Sequence, residues 1–322
     1  MRPAPPLHAY RHIRIAAGSA LLAVLCLVTV LSFIIISTMG LSMQHSGMQQ
    51  TRMGLLRARQ LAEMGVAVAV NPMIQPGDPA LSASVSPVES FAAVVTTEES
   101  RLNLNRLLTQ DQLPILERMF TSWGLSPAGA QGVAASLLDW TDADDLKIRP
   151  DSAERSDYEF LGFKDRPSNR PLASLDEVDL VARSEELRQV RPDWRSLFTL
   201  RGNGQLDVNE ASAEVLAALT GASLINAQHL VSLRNGLDGL PHTQDDRVLT
   251  SLDEAVAMLG IAGPGAAQIL PLLTLRGSTL RIESIGTAGD ERAGLAVSVV
   301  RDGGGGARIA EWREFMLERR RS

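Results

Sequence analysis

A long uncharged stretch near the start constrains this chain more than any other feature. Between Arg14 and Arg52 the sequence contains no Asp, Glu, Lys or Arg, and its apolar part runs from Ala16 to Met43. A helix needs ~20 apolar residues to cross a membrane, so this stretch predicts a transmembrane segment. Three arginines precede it, Arg2, Arg11 and Arg14, and basic residues tend to stay on the cytoplasmic side. We therefore expect a single-pass inner-membrane protein with a cytoplasmic N-terminus and a periplasmic C-terminal domain. The alternative is a cleaved secretory signal, whose apolar core usually spans only ~7–15 residues.

The predicted helix continues well beyond the membrane. No proline occurs from Leu7 to Asn71, and Pro72, Pro76 and Pro79 then follow closely. Apolar residues recur at helical spacing on one face: Met48, Leu55, Ala58, Ala62, Val66 and Val70. The pattern predicts one helix from Ser19 to Val70, whose outer part is an amphipathic stalk. A membrane anchor followed by a juxtamembrane coiled coil is the alternative.

The segment Gly18-Ser19-Ala20-Leu21-Leu22-Ala23-Val24-Leu25 resembles the signal of type IV pilins and pseudopilins. This resemblance implies that a prepilin peptidase cuts between Gly18 and Ser19 and that the new N-terminus, Ser19, is methylated. Most members carry a glutamate at the fifth mature position, which here is Ala23. A buried amine is costly in lipid, and that glutamate is thought to neutralise the amine of the next subunit. In lacking this glutamate, the chain resembles the K-type minor pseudopilins of type II secretion systems, which cap the fibre tip. Simple divergence of Ala23 in an ordinary minor subunit is the alternative.

The middle of the chain contains a repeated pattern. Ser-Leu-Asp-Glu occurs at 174–177 and at 251–254, and each copy has the hydroxyl-to-carboxylate spacing of a helix capping box. A related phrase stands upstream of each box, Leu-Asn-Leu-Asn at 102–105 and Leu-Asp-Val-Asn at 206–209. We interpret this pattern as a duplicated helical module, with chance recurrence as the alternative. Further helix signals are Ser126-Pro127 and a helix Glu210–Leu219 that Asn209 opens and Gly221 ends.

The same region strengthens the family resemblance, since K-type pseudopilins interrupt their pilin domain with a large helical insert of two SAM-like modules. Four phrases carry this resemblance, at residues 101–105, 138–142, 170–174 and 208–212. Three strands are predicted near the C-terminus, one through Leu280, Ile282 and Ile285, then Leu295–Val300 and Arg308–Phe315, with Phe91–Val95 as an added strand. The expected fold is α+β, with a long N-terminal transmembrane and stalk helix packed on a small antiparallel sheet that the mostly helical insert interrupts.

This interpretation divides the chain into six segments. They are a leader 1–18, the transmembrane part of the helix 19–43, the stalk and start of the pilin domain 44–96, a first SAM-like module with an acidic loop 97–200, a second SAM-like module 201–273, and the C-terminal strands 274–322.

A cluster of carboxylates is the best candidate for a binding site. It comprises Asp139, Asp142, Asp144, Asp145, Glu154 and Asp157. Clustered carboxylates repel one another unless they are solvated or neutralised, and Ca²⁺ binds six to eight oxygens. Related secretion pseudopilins bind calcium at irregular loops, whereas an EF-hand is excluded because Lys147 occupies the required glycine position. A solvated acidic helix end is the alternative, and Lys147 and Arg149 nearby favour it.

No motif predicts catalysis, so we expect a protein that is not an enzyme and has no cofactor other than structural calcium. The single cysteine, Cys26, excludes an internal disulfide framework, and a net charge of −6 argues against a general nucleic-acid binder. The resemblance implies a minor pseudopilin that caps the tip of the type II secretion pseudopilus and assists export of folded proteins across the outer membrane. Its implied partners are other minor pseudopilins, bound through the N-terminal helix, the prepilin peptidase and the inner-membrane secretion platform.

Two alternatives remain open for the function. One is a minor pilin of a type IV pilus. The other is a membrane-anchored helix-hairpin-helix DNA receptor, for which the segment from Leu219 to Arg234 offers Gly221 and Arg234 but no basic cluster.

Overall fold

The computed structural model describes the backbone of residues 13–301, 307–315 and 317, and the side chains of these residues except 13–20, 38–48 and 301. Helix α1, Ile13–Val70, ends at the predicted residue. Asn71 follows it and accepts a hydrogen bond from the Met73 backbone N at 3.0 Å, which begins the turn. The chain divides into two compact units, Met1–Arg57 and Ala58–Ser322.

In the first unit, the described side chains of residues 21–37 are all exposed. Within the described residues, we find no helix that combines the length and the apolar character needed to cross a membrane.

The second unit contains a five-stranded antiparallel sheet in the order β1-β2-β7-β8-β9. The strands of the chain are β1 Ser82–Ser86, β2 Glu89–Thr97, β3 Leu102–Asn103, β4 Phe198–Thr199, β5 Leu206–Asp207, β6 Leu273–Thr274, β7 Thr279–Ala288, β8 Glu291–Arg301 and β9 Ala307–Phe315. The predicted C-terminal strands and the added strand are therefore present. The hairpin between β7 and β8 is tighter than predicted, because Gly289 adopts φ +60° and lets the chain reverse over two residues.

The last turns of α1 pack on one face of this sheet. Ala62, Val66 and Ala69 are buried there against a group of sheet residues, Ala93, Val95, Ile282, Leu295, Val297 and Val299. Small residues allow close approach, since a Cβ on Gly286 of β7 would overlap the backbone of Ala58 and Ala62. Leu55, predicted on the same helix face, is exposed. It lies in the first unit, before the part of the helix that packs on the sheet.

The helical insert leaves the sheet after Thr97 and returns at Thr279, and these two strand ends are adjacent because Thr97 pairs with Leu280. Its helices are α2 Leu104–Leu107, α3 Leu113–Ser122, α4 Pro127–Asp139, α5 Arg155–Phe160, α6 Ser184–Val190, α7 Ala213–Thr220, α8 Leu224–Arg234, α9 Leu252–Met258 and α10 Pro264–Ile269. One hydrophobic core contains buried residues from both halves of the insert, such as Phe120 and Leu230.

The two halves of the insert repeat the same local architecture. Each begins and ends with a two-residue strand, and these pair in parallel, β3 with β4 and β5 with β6. The Asn105 side chain donates to the Leu172 carbonyl at 2.9 Å and accepts from its N–H at 2.8 Å. The Asn209 side chain makes the same two bonds with Leu249, at 3.0 and 2.8 Å. Leu172 and Leu249 each stand two residues before a Ser-Leu-Asp-Glu box, so the predicted duplication is real.

A further repeat was overlooked in the sequence. Thr-Leu-Arg-Gly occurs at 199–202 and again at 274–277, where each half of the insert ends. In each copy the threonine hydroxyl accepts a hydrogen bond from the arginine N–H two residues later, at 3.0 and 3.3 Å.

Two helix predictions need correction. Helix α7 begins at Ala213 rather than Glu210, with Ser212 as its N-cap, because the Asn209 side chain is occupied by Leu249 and Leu275. The first Ser-Leu-Asp-Glu box caps a 3-10 helix, Leu175–Leu180, rather than an α-helix. Its Glu177 accepts from the Ala173 N–H instead of that of Ser174, so only the serine half of this box forms.

Candidate functional site: an acidic loop in the helical insert

The acidic loop begins where helix α4 ends. Ser126 starts this helix by accepting a hydrogen bond from the Gly129 N–H at 3.1 Å, and Pro127 occupies its first turn, as predicted. The helix runs to Asp139, after which the chain makes a long excursion that returns at Leu172. The short helix α5 lies within this excursion.

Asp139 is fully buried and holds the loop against the end of α4. It accepts hydrogen bonds from the Ile148 N–H at 3.0 Å and from the Ser152 hydroxyl. Burial raises the pKa of Asp139, and these hydrogen bonds offset only part of that effect. Its position is therefore that of an internal carboxylate rather than a solvated one.

Asp142 and Glu154 each carry one buried carboxylate oxygen, Oδ1 and Oε1 respectively, that has no hydrogen-bond partner among the described residues. Burial, aided by the charges of Asp139, Asp144 and Asp145, raises the pKa of Asp142 to about 6. Burial and the charge of Asp139 are the main causes that raise the pKa of Glu154 to about 7. Both carboxylates therefore lack a neutralising partner, and a proton or a cation would stabilise them.

The outer carboxylates of the cluster already have partners. Asp144 accepts from the Leu146 N–H at 2.8 Å, and Asp145 pairs with Arg155 at 3.3 Å. Asp157 pairs with Lys147 at 2.8 Å and also accepts from the Glu154 N–H at 2.8 Å, which completes the N-terminal cap of α5.

The structure thus separates the six predicted residues into three inner carboxylates, Asp139, Asp142 and Glu154, and three outer ones with other roles. In the described part of the chain, no set of three or more His, Cys, Asp or Glu side chains is arranged to hold a metal ion. Sequence reasoning missed Ile148 and Ser152, which fix Asp139. The turn-forming pair Pro150-Asp151 was the available signal for such a fold-back.

The remaining predicted site residues lie in α1. Gly18 and Ser19 fall in the helix, at positions whose surroundings the structure does not describe. Ala23 is exposed on the same helix.

Arg234, on which the DNA-receptor alternative depended, is buried. Its guanidinium Nη1 donates to the carbonyls of Val208 and Ala211 at 3.0 and 2.9 Å, so this cation is not available to a phosphate.

Comparison with known proteins places this loop in a family domain. Residues 100–192, which contain the whole acidic loop, match the family described as "Type II secretion system (T2SS), protein K". Type II secretion system protein K of Pseudomonas aeruginosa is 29% identical over 154 residues, which cover 45% of this chain and 44% of that protein. The resemblance to the K-type minor pseudopilins is confirmed.

The chain's match to this curated K-type relative spans less than half of the relative's length. The fold is also similar to that of a solved structure. A chain from the crystal structure of the GspK-GspI-GspJ complex of enterotoxigenic Escherichia coli superposes with a TM-score of 0.60 at 16% identity, covering 86% of this chain and 99% of that one. The two chains therefore share a fold of helices combined with an antiparallel sheet.

Proposed function

We propose that this chain is the minor pseudopilin that caps the tip of a type II secretion pseudopilus and assists export of folded proteins across the outer membrane. The match of residues 100–192 to the K family carries this proposal, because those residues form the first half of the insert. The matches point to type II secretion rather than to a type IV pilus.

The insert supplies the physical argument for capping. Residues 98–278 interrupt a sheet that packs on α1, so the subunit carries a second hydrophobic core beside its pilin-like one. A fibre grows by helix packing between subunits, and a domain of this size would obstruct the next subunit. Ala23 fits the same role, since a terminal subunit has no neighbour above it whose amine needs a carboxylate.

The membrane anchor and processing belong to this proposal as predictions from the sequence. Residues 1–18 would be the leader removed by the prepilin peptidase, Ser19 the methylated N-terminus, and 19–43 the inner-membrane part of the helix. The exposure of the apolar side chains from Leu21 to Ile36 is compatible with a lipid or helical neighbour.

The proposed partners are other minor pseudopilins. The similar structure is a GspK-GspI-GspJ complex, and we propose that this chain binds the corresponding I- and J-type subunits. Its N-terminal helix would provide the contacts, and the inner-membrane secretion platform would extract the assembled tip.

Tip labelling tests the capping role. In cells that overproduce the major pseudopilin, fibres should carry one label at one end when a small tag follows Ser322. A tagged major subunit is the control, and it should label the fibre along its length. Label from our chain along the fibre, or none on fibres, would contradict the proposal.

We also propose that the inner carboxylates bind Ca²⁺. The oxygens Oδ1 of Asp142 and Oε1 of Glu154 support this, because carboxylate oxygens are the ligands that Ca²⁺ prefers and these two accept no hydrogen bond from the described residues. Asp139 would contribute through the charge that it places beside them. The three outer carboxylates could bind the ion only after breaking their present contacts; they are Asp144, Asp145 and Asp157.

Calorimetry on the full chain in detergent tests this site. We expect heat on Ca²⁺ addition, and a dissociation constant on the order of tenfold weaker in Asp142→Asn and in Glu154→Gln, because each removes one charge from the site. Asp165→Asn, an exposed acid outside the cluster, is the matched control and should bind normally. The absence of binding at millimolar Ca²⁺ would remove the site and leave the fibre-tip role untouched.

A further inference from the structure

The second half of the insert contains a loop that a histidine–glutamate contact holds in place. Residues 235–248, here called the strap, leave the end of α8 and return to Leu249, which Asn209 clamps. The Arg247 N–H closes the strap by donating to the Arg234 carbonyl at 2.8 Å. Leu237 and Leu240 in the strap are exposed, so few apolar contacts hold it.

His242 sits at the middle of the strap in a demanding backbone conformation, with φ +65°. Its Nε2 lies 3.0 and 3.1 Å from the two carboxylate oxygens of Glu210, which precedes α7. Its backbone N–H donates to Asp246 at 2.6 Å. The imidazole–carboxylate contact therefore holds the middle of the strap to the body of the insert, while at its end Arg247 pairs with Glu254 on α9.

The same residue also meets the segment that follows helix α1. A Cβ on Gly77 would overlap the His242 carbonyl, so the two backbones are in direct contact, and Gly77 has φ +79°. Movement of His242 would thus release the strap from both Glu210 and Gly77.

We propose that His242 and Glu210 form a pH-dependent latch that fastens the strap and, through Gly77, joins the second half of the insert to the segment after the stalk helix. The charged groups around the imidazole are Glu210, Asp246 on the strap and Arg234 on α8. The hydrogen bond to Glu210 is the main reason that the pKa of His242 is raised; burial and Arg234 oppose it.

The raised pKa of His242 determines how the stability of the latch changes with pH. A histidine whose folded pKa lies above its unfolded value, ~6.5, contributes stability that is fully present below that value. This contribution is lost as the pH rises through the folded pKa. The latch should therefore be fastened in mildly acidic conditions and loosened in mildly alkaline ones.

Hydrogen exchange on the full chain in detergent tests the latch. After correction for intrinsic rates, the strap amides of Leu237, His242 and Arg247 should open about fivefold more often at pH 8.5 than at pH 6, a change of about 1 kcal/mol. Glu210→Gln and His242→Asn should remove this pH dependence, and asparagine tolerates the left-handed backbone at 242. His229→Gln, on the exposed face of α8, is the control and should behave as wild type.

Titration of the His242 imidazole by NMR gives a second measurement. It uses the wild-type chain, so it holds even if Glu210→Gln or His242→Asn is unstable. The His242 resonance should titrate above free histidine in the wild type. Strap protection that is the same at both pH values, or a His242 that titrates like free histidine, would overturn the latch.

Discussion

Glu98 and Ser298 lie 200 positions apart in the chain and share a hydrogen bond of 2.5 Å between Oε1 and Oγ. Glu98 is the first residue of the insert after β2, and Ser298 is on β8 of the sheet. The second carboxylate oxygen of Glu98 accepts from Thr199, where the first half of the insert ends, at 2.6 Å. One buried carboxylate thus joins the sheet to the insert.

Glu98→Ala should destabilise the second unit by about 3 kcal/mol, because the Ser298 and Thr199 hydroxyls lose their buried acceptor and Arg281 keeps only its pair with Glu283. Denaturation of the full chain, followed by tryptophan fluorescence to which the buried Trp140 and Trp194 contribute, measures this loss. Glu311→Ala removes an ion pair with Arg201 whose two side chains are both partly exposed, and it should cost less than about 1 kcal/mol. Equal costs for the two variants would contradict this account.

Acid should weaken the same junction. Burial by itself would raise the pKa of Glu98, but hydrogen bonds from Ser298 and Thr199 and the charge of Arg281 outweigh it and hold the pKa below its usual range. A depressed pKa contributes stability above the unfolded value, ~4.3, that is lost as the pH falls through the folded pKa. Stability measured from pH 6 to pH 3 should therefore decline more in the wild type than in Glu98→Gln.

The acidic loop should respond to pH in the opposite direction. Without Ca²⁺, the raised pKa values of Asp142 and Glu154, about 6 and about 7, make the loop less stable as the pH rises through these values. Asp142→Asn and Glu154→Gln should therefore raise the thermal midpoint at pH 8 in chelator and change it little at pH 4. If the thermal midpoint of the wild type falls no more than that of the variants between pH 4 and pH 8, ionisation of these carboxylates does not destabilise the loop.

The duplicated asparagines should both be important to the insert. Asn105→Ala removes two hydrogen bonds to partly buried backbone groups and should cost about 2 kcal/mol. Asn209→Ala removes three, the third to the Leu275 carbonyl, and should cost at least as much. Gln228→Ala, exposed on α8, is the control and should be close to neutral. Exchange protection at Leu172 and at Leu249 reports the two sites separately, and each amide should be affected only by its own asparagine.

Close packing of α1 on the sheet depends on Gly286. Gly286→Ala places a Cβ against the helix backbone and should destabilise the second unit by about 2 kcal/mol, as overpacking typically does. Gly265→Ala in α10 is the matched control, since its Cβ would meet only ordinary contact distances and alanine favours a helix. Urea denaturation of both variants should show a loss for the first and none for the second.

Processing at the predicted leader has a direct test. Gly18→Ala should leave an unprocessed precursor, visible as a slower band in membranes, while Gly40→Ala within the same apolar stretch should be processed normally. N-terminal sequencing of the wild-type protein should begin at Ser19. A protein that begins at Met1 would refute the leader.

Local sequence signals predicted the elements that depend on neighbouring residues. The proline-free run and its end at Asn71 located the end of α1, Ser126-Pro127 located the start of α4, and alternating apolar residues located the sheet strands. The repeated Ser-Leu-Asp-Glu boxes also revealed the duplication. In each half of the insert, a serine N-cap follows two residues after the leucine that an asparagine side chain binds. The acidic run identified the loop, since a dense set of carboxylates is visible without knowledge of the fold.

Only the tertiary structure decided which of those residues act together. Asp139 is buried, one oxygen each of Asp142 and Glu154 has no hydrogen-bond partner among the described residues, and Asp157 pairs with Lys147. These contacts depend on how the loop folds back on α4. The tertiary structure also shows that the Asn209 side chain bonds to the backbone of Leu249 instead of capping a helix, and that His242 contacts Glu210, 32 positions away. Such contacts depend on the closure of long loops around a shared core, whereas caps and periodicity depend on residues a few positions apart.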